Sequence, residues 1–130
     1  MWVHGEFLAG AVGELAGVSG NTIGQWARWG YIRASQSTGD PHVYSVEDVT
    51  EAAMVHTLLE HGVSHLQVRR AISHLASYGK WPLSEASLAV AGGKLVLREA
   101  GGAFALSPRG WQRMVAPPPL EDVHLKLRRS

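Results

Sequence analysis

Residues 10–23 read GAVGELAGVSGNTI and carry the spacing of a tight turn between two helices. Gly13, Gly17 and Ile23 stand at positions i, i+4 and i+10 of this segment. A small residue in the first helix allows close approach, a glycine in the turn adopts positive φ, and a branched apolar residue locks the helices together. The spacing therefore predicts a helix-turn-helix, a motif that reads duplex DNA.

The apolar periodicity around this motif predicts four helices, because apolar residues recur at helical spacing between capping residues and glycines. Their expected ranges are about residues 9–16, 20–29, 46–61 and 65–78. Between the second and third helices, residues 31–33 and 43–44 read as extended and flank a small polar segment with turn residues. These two pieces are expected to pair as a small hairpin, or wing.

The chain changes in character after residue 80. Four further elements are expected there: a short helical segment, a β-hairpin, one or two helical turns and a strand pattern, over about residues 81–90, 94–106, 107–115 and 123–127. The expected fold class is mainly α, a winged helix-turn-helix with a small C-terminal α+β extension. By role, residues 1–79 would be the DNA-binding domain and residues 80–130 a dimerisation or partner-binding region.

The composition is that of an ordinary globular protein, with 130 residues, 45% of them hydrophobic and 18% charged. The chain has no cysteine, which excludes disulfides, thiolate zinc sites and cysteine nucleophiles. No apolar run is long enough to cross a bilayer, and no basic segment precedes an apolar one as in a signal peptide. We therefore expect a cytoplasmic protein with no membrane partner.

The formal charge is unevenly divided along the chain. Residues 1–45 hold two arginines against three acids, a balance of −1, although they contain the helix-turn-helix. Residues 64–80 hold three bases and no acid, and residues 94–130 hold seven bases against three acids. The basic charge therefore lies mostly outside the segment that is expected to read DNA, and the basic tail at residues 126–129 is either an anion-binding arm or a solubilising end.

The quoted segment and the residues after it resemble the DNA-binding domain of the MerR family over about residues 7–77. The order of elements is the same: two helices, a wing and two more helices. The positions that carry the resemblance beyond the first motif are Thr22, Trp26, Arg28, Gly30-Tyr31-Ile32, Tyr44-Ser45, Asp48-Val49, Leu58-Leu59, Gly62-Val63 and Val68-Arg69-Arg70-Ala71-Ile72. The resemblance implies that the second helix enters the major groove of DNA and that the wing contacts the flanking DNA backbone.

It also implies a set of candidate DNA-binding residues. Gln25 would pair with adenine and Arg28 with guanine or a phosphate, while Ser19, Asn21 and the helix N-terminus suit a phosphate. The whole set is Ser19, Asn21, Thr22, Gln25, Trp26, Arg28, Arg33, His42, Tyr44, Arg69 and Arg70. For some of them a plainer role stays open: Trp26 as a core residue, His42 as an ordinary wing residue, and the arginine pair as a solvated helix face.

Two positions depart from the MerR pattern. The family usually has an arginine directly after the position of Ile23, where this chain has Gly24, and another shortly before the position of Tyr44, where this chain offers His42. Each phosphate that is neutralised adds nearly one unit to the salt dependence of binding, so the loss of two arginines predicts weak binding by one copy. A homodimer, or help from the basic tail, would then be needed.

Other functions are less well supported by the sequence. No nucleophile elbow, glycine-rich phosphate loop or convergent carboxylate pair is present, so we expect no enzyme activity and no cofactor. The histidines at positions 56, 61 and 65 have a spacing that a metal could use, but Gly62 interrupts their helix, so we expect no metal site.

Two alternatives to a transcription regulator stay open. Residues 81–83 and the hairpin at 94–106 resemble the middle region of antitoxin-like proteins that carry a MerR-type helix-turn-helix. That resemblance implies a toxin as the partner of residues 81–130, with DNA binding used for autoregulation of the operon. An architectural protein that bends DNA, similar to excisionases, is the other alternative.

Overall fold

The computed structural model describes residues 6–39, 41–116 and 118–123. These residues form two compact units, residues 6–56 and residues 57–123, and the boundary between them falls within the third helix. The five α-helices of the described chain are α1 Ala9–Ala16, α2 Gly20–Trp29, α3 Val46–Glu60, α4 His65–His74 and α5 Pro82–Glu85. The five strands are β1 Ser87–Ala91, β2 Lys94–Glu99, β3 Gly102–Ser107, β4 Gly110–Arg113 and β5 Glu121–Asp122.

The first unit contains the predicted helix-turn-helix. Gly17 ends α1 with φ at 93°, a left-handed conformation that favours glycine. A β-carbon added to Gly13 would lie 2.5 Å from the carbonyl oxygen of Val18, so a larger residue would push the turn away. Ile23 is fully buried between the helices. The three positions of the motif therefore have the roles that their spacing predicted.

The wing is smaller than predicted, and its strands pair differently. Val43 pairs with Ser37, and Tyr44 pairs with Phe7. The predicted pairing of residues 43–44 with residues 31–33 is therefore wrong. Ile32 is instead 5% exposed in the core, so the segment after α2 turns inward before the chain reaches the wing.

The second unit contains a five-stranded antiparallel sheet in the order β4-β3-β2-β1-β5. The predicted hairpin forms β2 and β3, with Leu97 opposite Phe104. Two helical predictions were wrong: residues 87–91 form β1 rather than the end of a helix, and residues 110–113 form β4. Gly92 and Gly93 have positive φ and close the β1–β2 turn, and Gly110, at φ 117°, begins β4.

The two faces of this sheet have different cores. On one face a buried cluster of Ala89, Val96 and Ala103 packs against Ala91, Met114 and Leu120. Leu88, Leu95 and Leu97 alternate with that cluster along the strands and are buried on the opposite face. The side-chain amide of Gln67 on α4 donates to Gly93 O (3.0 Å) and accepts from Leu95 N (2.9 Å), which ties this helix to the first hairpin.

The fold class predicted from the sequence is confirmed: a helical N-terminal region with a helix-turn-helix, followed by a small α+β region. In the described part of the chain, no helix combines the length and apolar character that crossing a membrane requires. The assignment of DNA binding to residues 1–79 and of dimerisation or partner binding to residues 80–130 stays a prediction. Residues 124–127 of the predicted strand and the basic tail at 126–129 lie outside the described residues.

Candidate nucleic-acid interface

The exposed face of α2 carries three polar side chains at helical spacing. Asn21, Gln25 and Arg28 are exposed, whereas Ile23 and Trp26 are 0% and 3% exposed. Residues four and three positions apart lie on the same side of a helix, so the three polar side chains share one surface. That surface presents an amide, a second amide and a guanidinium, which are the groups that read base edges in the major groove.

The N-terminus of α2 is capped by the Ser19 side chain. Its hydroxyl oxygen accepts a hydrogen bond from the backbone N–H of Thr22 (3.1 Å) and lies 2.9 Å from the Thr22 hydroxyl. The first turn of this helix contains no acidic residue. The positive end of the helix dipole is therefore not neutralised locally, which favours an anion such as a phosphate near it.

Arg28 covers the surface beside Gly24. A β-carbon built on Gly24 would lie 3.4 Å from Nη1 of Arg28, so the arginine side chain runs back along the helix toward its N-terminus. The MerR pattern has an arginine at the position of Gly24. In this chain the guanidinium of Arg28 lies over that position instead, which keeps a positive charge on the same part of the helix.

Two candidate residues are buried in the first unit. Trp26 packs against Tyr31, with ring centroids 6.4 Å apart. Tyr44 is 0% exposed, and its hydroxyl has no hydrogen-bond partner among the described residues. Burial, and then the charge of Asp48, raise the pKa of Tyr44, while Arg28 acts in the opposite direction. Both aromatic side chains can therefore support the interface by holding α2 and the wing in position.

Arg33 precedes the wing, and His42 lies within it. Arg33 is exposed, and His42 is partly exposed. Nδ1 of His42 lies 2.7 Å from the carbonyl oxygen of Gly39, and the imidazole ring meets Tyr44 edge-on at 6.3 Å. The His42 ring is therefore held by the turn of the wing on one side and by the buried tyrosine on the other.

Asp48 anchors the chain on both sides of the wing, and the set of candidate residues did not include it. One carboxylate oxygen accepts from the backbone N–H of Ser35 (2.7 Å) and of Ser45 (2.8 Å), and lies 2.7 Å from the Ser35 hydroxyl. The Ser45 hydroxyl accepts from the N–H of Asp48 (3.1 Å). The contact of Asp48 with Ser35, 13 residues away, left no local signal in the sequence.

Arg69 and Arg70 belong to the second unit. They lie on α4, where Arg69 is exposed and Arg70 partly exposed, while the neighbouring Val68 and Ala71 are buried. Their helix thus directs these cations away from its own core. Among residues 6–39, 41–116 and 118–123, no three histidine or carboxylate side chains lie together as metal ligands would. His61, a candidate ligand by spacing, instead has Nδ1 2.6 Å from a carboxylate oxygen of Glu121.

Comparison with known proteins gives one match. The model of a family described as MerR HTH family regulatory protein matches residues 8–75, which is more than half of the chain. No curated protein and no solved structure matches the chain. The matched residues include α1, α2, the wing and all of α4, and therefore every candidate DNA-binding residue named above.

Proposed function

Since the chain belongs to the MerR HTH family of regulatory proteins, we propose that it binds a specific duplex DNA sequence as a homodimer and regulates transcription in the cytoplasm. Membership of the family supports a DNA-binding transcription regulator without enzyme activity. The single observation that carries the sequence-specific part is the exposed row of Asn21, Gln25 and Arg28 on a helix whose opposite face is buried.

In this proposal α2 lies in the major groove. Gln25 pairs with an adenine and Arg28 with a guanine or a phosphate, since these are the pairings that the geometry of base edges favours. Asn21 and Thr22 stand at the N-terminal turn that Ser19 caps, where a phosphate is attracted by the helix dipole. Arg33 and His42 bind the backbone beside the wing.

The low charge of the helix-turn-helix supports the proposed homodimer. Residues 1–45 have a formal balance of −1, with Arg28 and Arg33 as their only bases. A single copy can neutralise few phosphates through these residues, and non-specific affinity depends mainly on that number. Two copies on adjacent half-sites double the contacts, and Arg69 and Arg70 add phosphate contacts from each copy.

The antitoxin function is the second candidate, and the edge of the sheet favours it. β4 is an edge strand. Met114 N–H donates to Ala103 O (2.9 Å), so the alternate residues Trp111 and Arg113 direct their backbone N–H groups away from β3. Such an edge accepts a strand from a partner. Co-expression with the product of a neighbouring gene tests this alternative, and rescue from that product's toxicity would support it.

The test of the leading proposal is titration of the protein's own labelled upstream DNA against random DNA of the same length. We expect Gln25→Ala and Arg28→Ala each to weaken specific binding by about 1–3 kcal/mol, or roughly 5- to 150-fold. Gln112→Ala and Arg109→Ala are matched controls, since both residues are exposed in the second unit, one in β4 and the other in the turn between β3 and β4. If the wild-type protein does not prefer its own DNA at low salt, the regulator proposal fails.

A further inference from the structure

We propose that His42 is a proton-dependent phosphate contact, which binds the DNA backbone only as the imidazolium, so that DNA binding takes up a proton at the wing. The inference rests on the proposed function, because it specifies how one residue of that DNA-binding surface works. It also explains how a histidine can stand near a position where the MerR pattern has an arginine.

The hydrogen bond to Gly39 fixes the tautomer of the neutral ring. Nδ1 of His42 lies 2.7 Å from the Gly39 carbonyl oxygen, which has no proton to give. Nδ1 must therefore be the donor, and in the neutral imidazole the proton sits on Nδ1. Nε2 then carries a lone pair and is an acceptor.

Gly39, which supplies this carbonyl, also has a hydrogen bond of its own. The backbone N–H of Gly39 donates to the Ser37 hydroxyl (3.2 Å). Ser37 and Val43 exchange backbone hydrogen bonds of 3.1 and 2.9 Å across the wing. Together with the edge-on contact of the ring with Tyr44, these bonds hold the imidazole in one orientation. Because Nδ1 is engaged with Gly39, Nε2 is the ring nitrogen that remains to bind a ligand.

A phosphate distinguishes sharply between the two protonation states. Its free oxygens are acceptors, so a neutral Nε2 and a phosphate oxygen repel each other. When Nε2 takes up a proton from water, it becomes a donor on a positively charged ring and forms a charge-assisted hydrogen bond. An arginine would give the same contact at every pH used in a binding experiment, because it stays protonated.

The neighbouring titratable groups do not replace His42 in this role. Tyr44 packs against the ring, and its burial and Asp48 raise its pKa, so the phenol stays neutral while a histidine titrates. Arg28 faces the same tyrosine and keeps its charge throughout. Asp40 is two residues from His42 in the sequence. An Asp40→Asn variant therefore serves as the control for an effect of that carboxylate on the pH dependence.

The experiment measures DNA affinity over a salt series for the wild type, His42→Gln and His42→Arg, at about pH 5.5 and about pH 8.5, on either side of the range where imidazoles titrate. We expect the wild type to behave like His42→Arg at the lower pH. At the higher pH it should bind no better than His42→Gln, whose side-chain amide can itself donate to a phosphate. The affinity ratio of wild type to His42→Gln should fall by roughly tenfold as pH rises, because the charge-assisted hydrogen bond to the phosphate is lost. The salt slope of the wild type should become shallower by about one over the same change.

The comparison with His42→Gln removes the effects of the other histidines, which both proteins share. If the ratio of wild-type affinity to His42→Gln affinity is the same at both pH values, the inference is overturned, while the proposed function stays intact. Loss of specific binding in all variants and the wild type would instead reject the proposed function. Nitrogen chemical shifts of the free protein give a readout without DNA: a neutral His42 with its proton on Nε2 would overturn the inference, because that tautomer can donate to a phosphate without taking up a proton.

Discussion

Tyr44 combines full burial with a hydroxyl that has no hydrogen-bond partner among the described residues. A buried polar group without a partner costs about 1–3 kcal/mol. We therefore expect Tyr44→Phe to leave the free energy of unfolding at neutral pH unchanged or to raise it by up to about 1 kcal/mol. Urea unfolding measures this, and a clear loss of stability would mean that the hydroxyl has a stabilising partner.

The same substitution predicts a change at alkaline pH. Because the pKa of Tyr44 is raised in the folded state, the unfolded chain loses this proton first as pH rises. The stability that this group contributes is therefore present below about pH 10 and is lost as pH rises through the folded-state value. Tyr44→Phe should remove that part of the loss of folding stability at alkaline pH, whereas the control Tyr31→Phe should still show it. DNA affinity should not change, because the hydroxyl is buried.

At the scale of secondary-structure elements, the chain on both sides of the wing depends on one carboxylate. Asp48 at the start of α3 accepts hydrogen bonds from the backbone of both Ser35 and Ser45. Asp48→Ala leaves these two N–H groups without their acceptor, so we expect a loss of about 1–3 kcal/mol in the free energy of unfolding. Glu47→Ala is the matched control, since Glu47 is an exposed acid in the same turn.

The position of the wing should also depend on Asp48. We expect Asp48→Ala to weaken DNA binding at temperatures where the protein is still folded, through the backbone contacts of Arg33 and His42 rather than through Gln25. A double variant with His42→Gln tests this, because the two losses should then be less than additive. Fully additive losses would indicate that Asp48 acts on DNA binding independently of His42, and no loss of binding in Asp48→Ala would indicate that it acts on stability alone.

The elements that the sequence predicted well are those with local signals. Ser19 and Ser64 accept hydrogen bonds from the third residue after each of them, as N-caps do, and Gly30 ends α2 in a left-handed conformation. Asn21 and Gln25, which are exposed on α2, entered the candidate set through the resemblance to the MerR family. Helices and their faces depend on residues at most four positions apart, which a single sequence contains.

The elements that the sequence did not predict depend on distant partners. β1 is a short apolar run that suits a helix or a strand, and it becomes a strand by pairing with β2 and with residues 121–122 of β5. β4 is different, because it pairs with β3 across a two-residue turn, and the prediction of helical turns over residues 107–115 missed this local hairpin. The contact between Ser35 and Asp48, like the pairing of β1 with β5, joins residues far apart in the sequence. No pattern within one turn or one strand records such long-range contacts.

At the scale of the whole molecule, the candidate cations are divided between the two units. Arg28 and Arg33 belong to the first, and Arg69 and Arg70 to the second. A DNA-binding protein in which one unit reads bases and another supplies charge has a salt dependence larger than its reading helix alone can explain. Arg69→Gln should therefore reduce the salt slope by about one while leaving sequence preference unchanged.

The number of copies on the DNA follows from the same charge distribution. If one copy contributes few phosphate contacts, useful affinity requires two copies, and a family of this kind then binds an operator with two related half-sites. We expect native mass spectrometry to detect two chains on one duplex. Replacing one half-site with random sequence should reduce affinity by about 100-fold or more, because binding of the second copy no longer assists the first. If a single chain binds one half-site with full affinity, the homodimer is contradicted. The edge of β4 would then be the better candidate for a surface that binds a different protein.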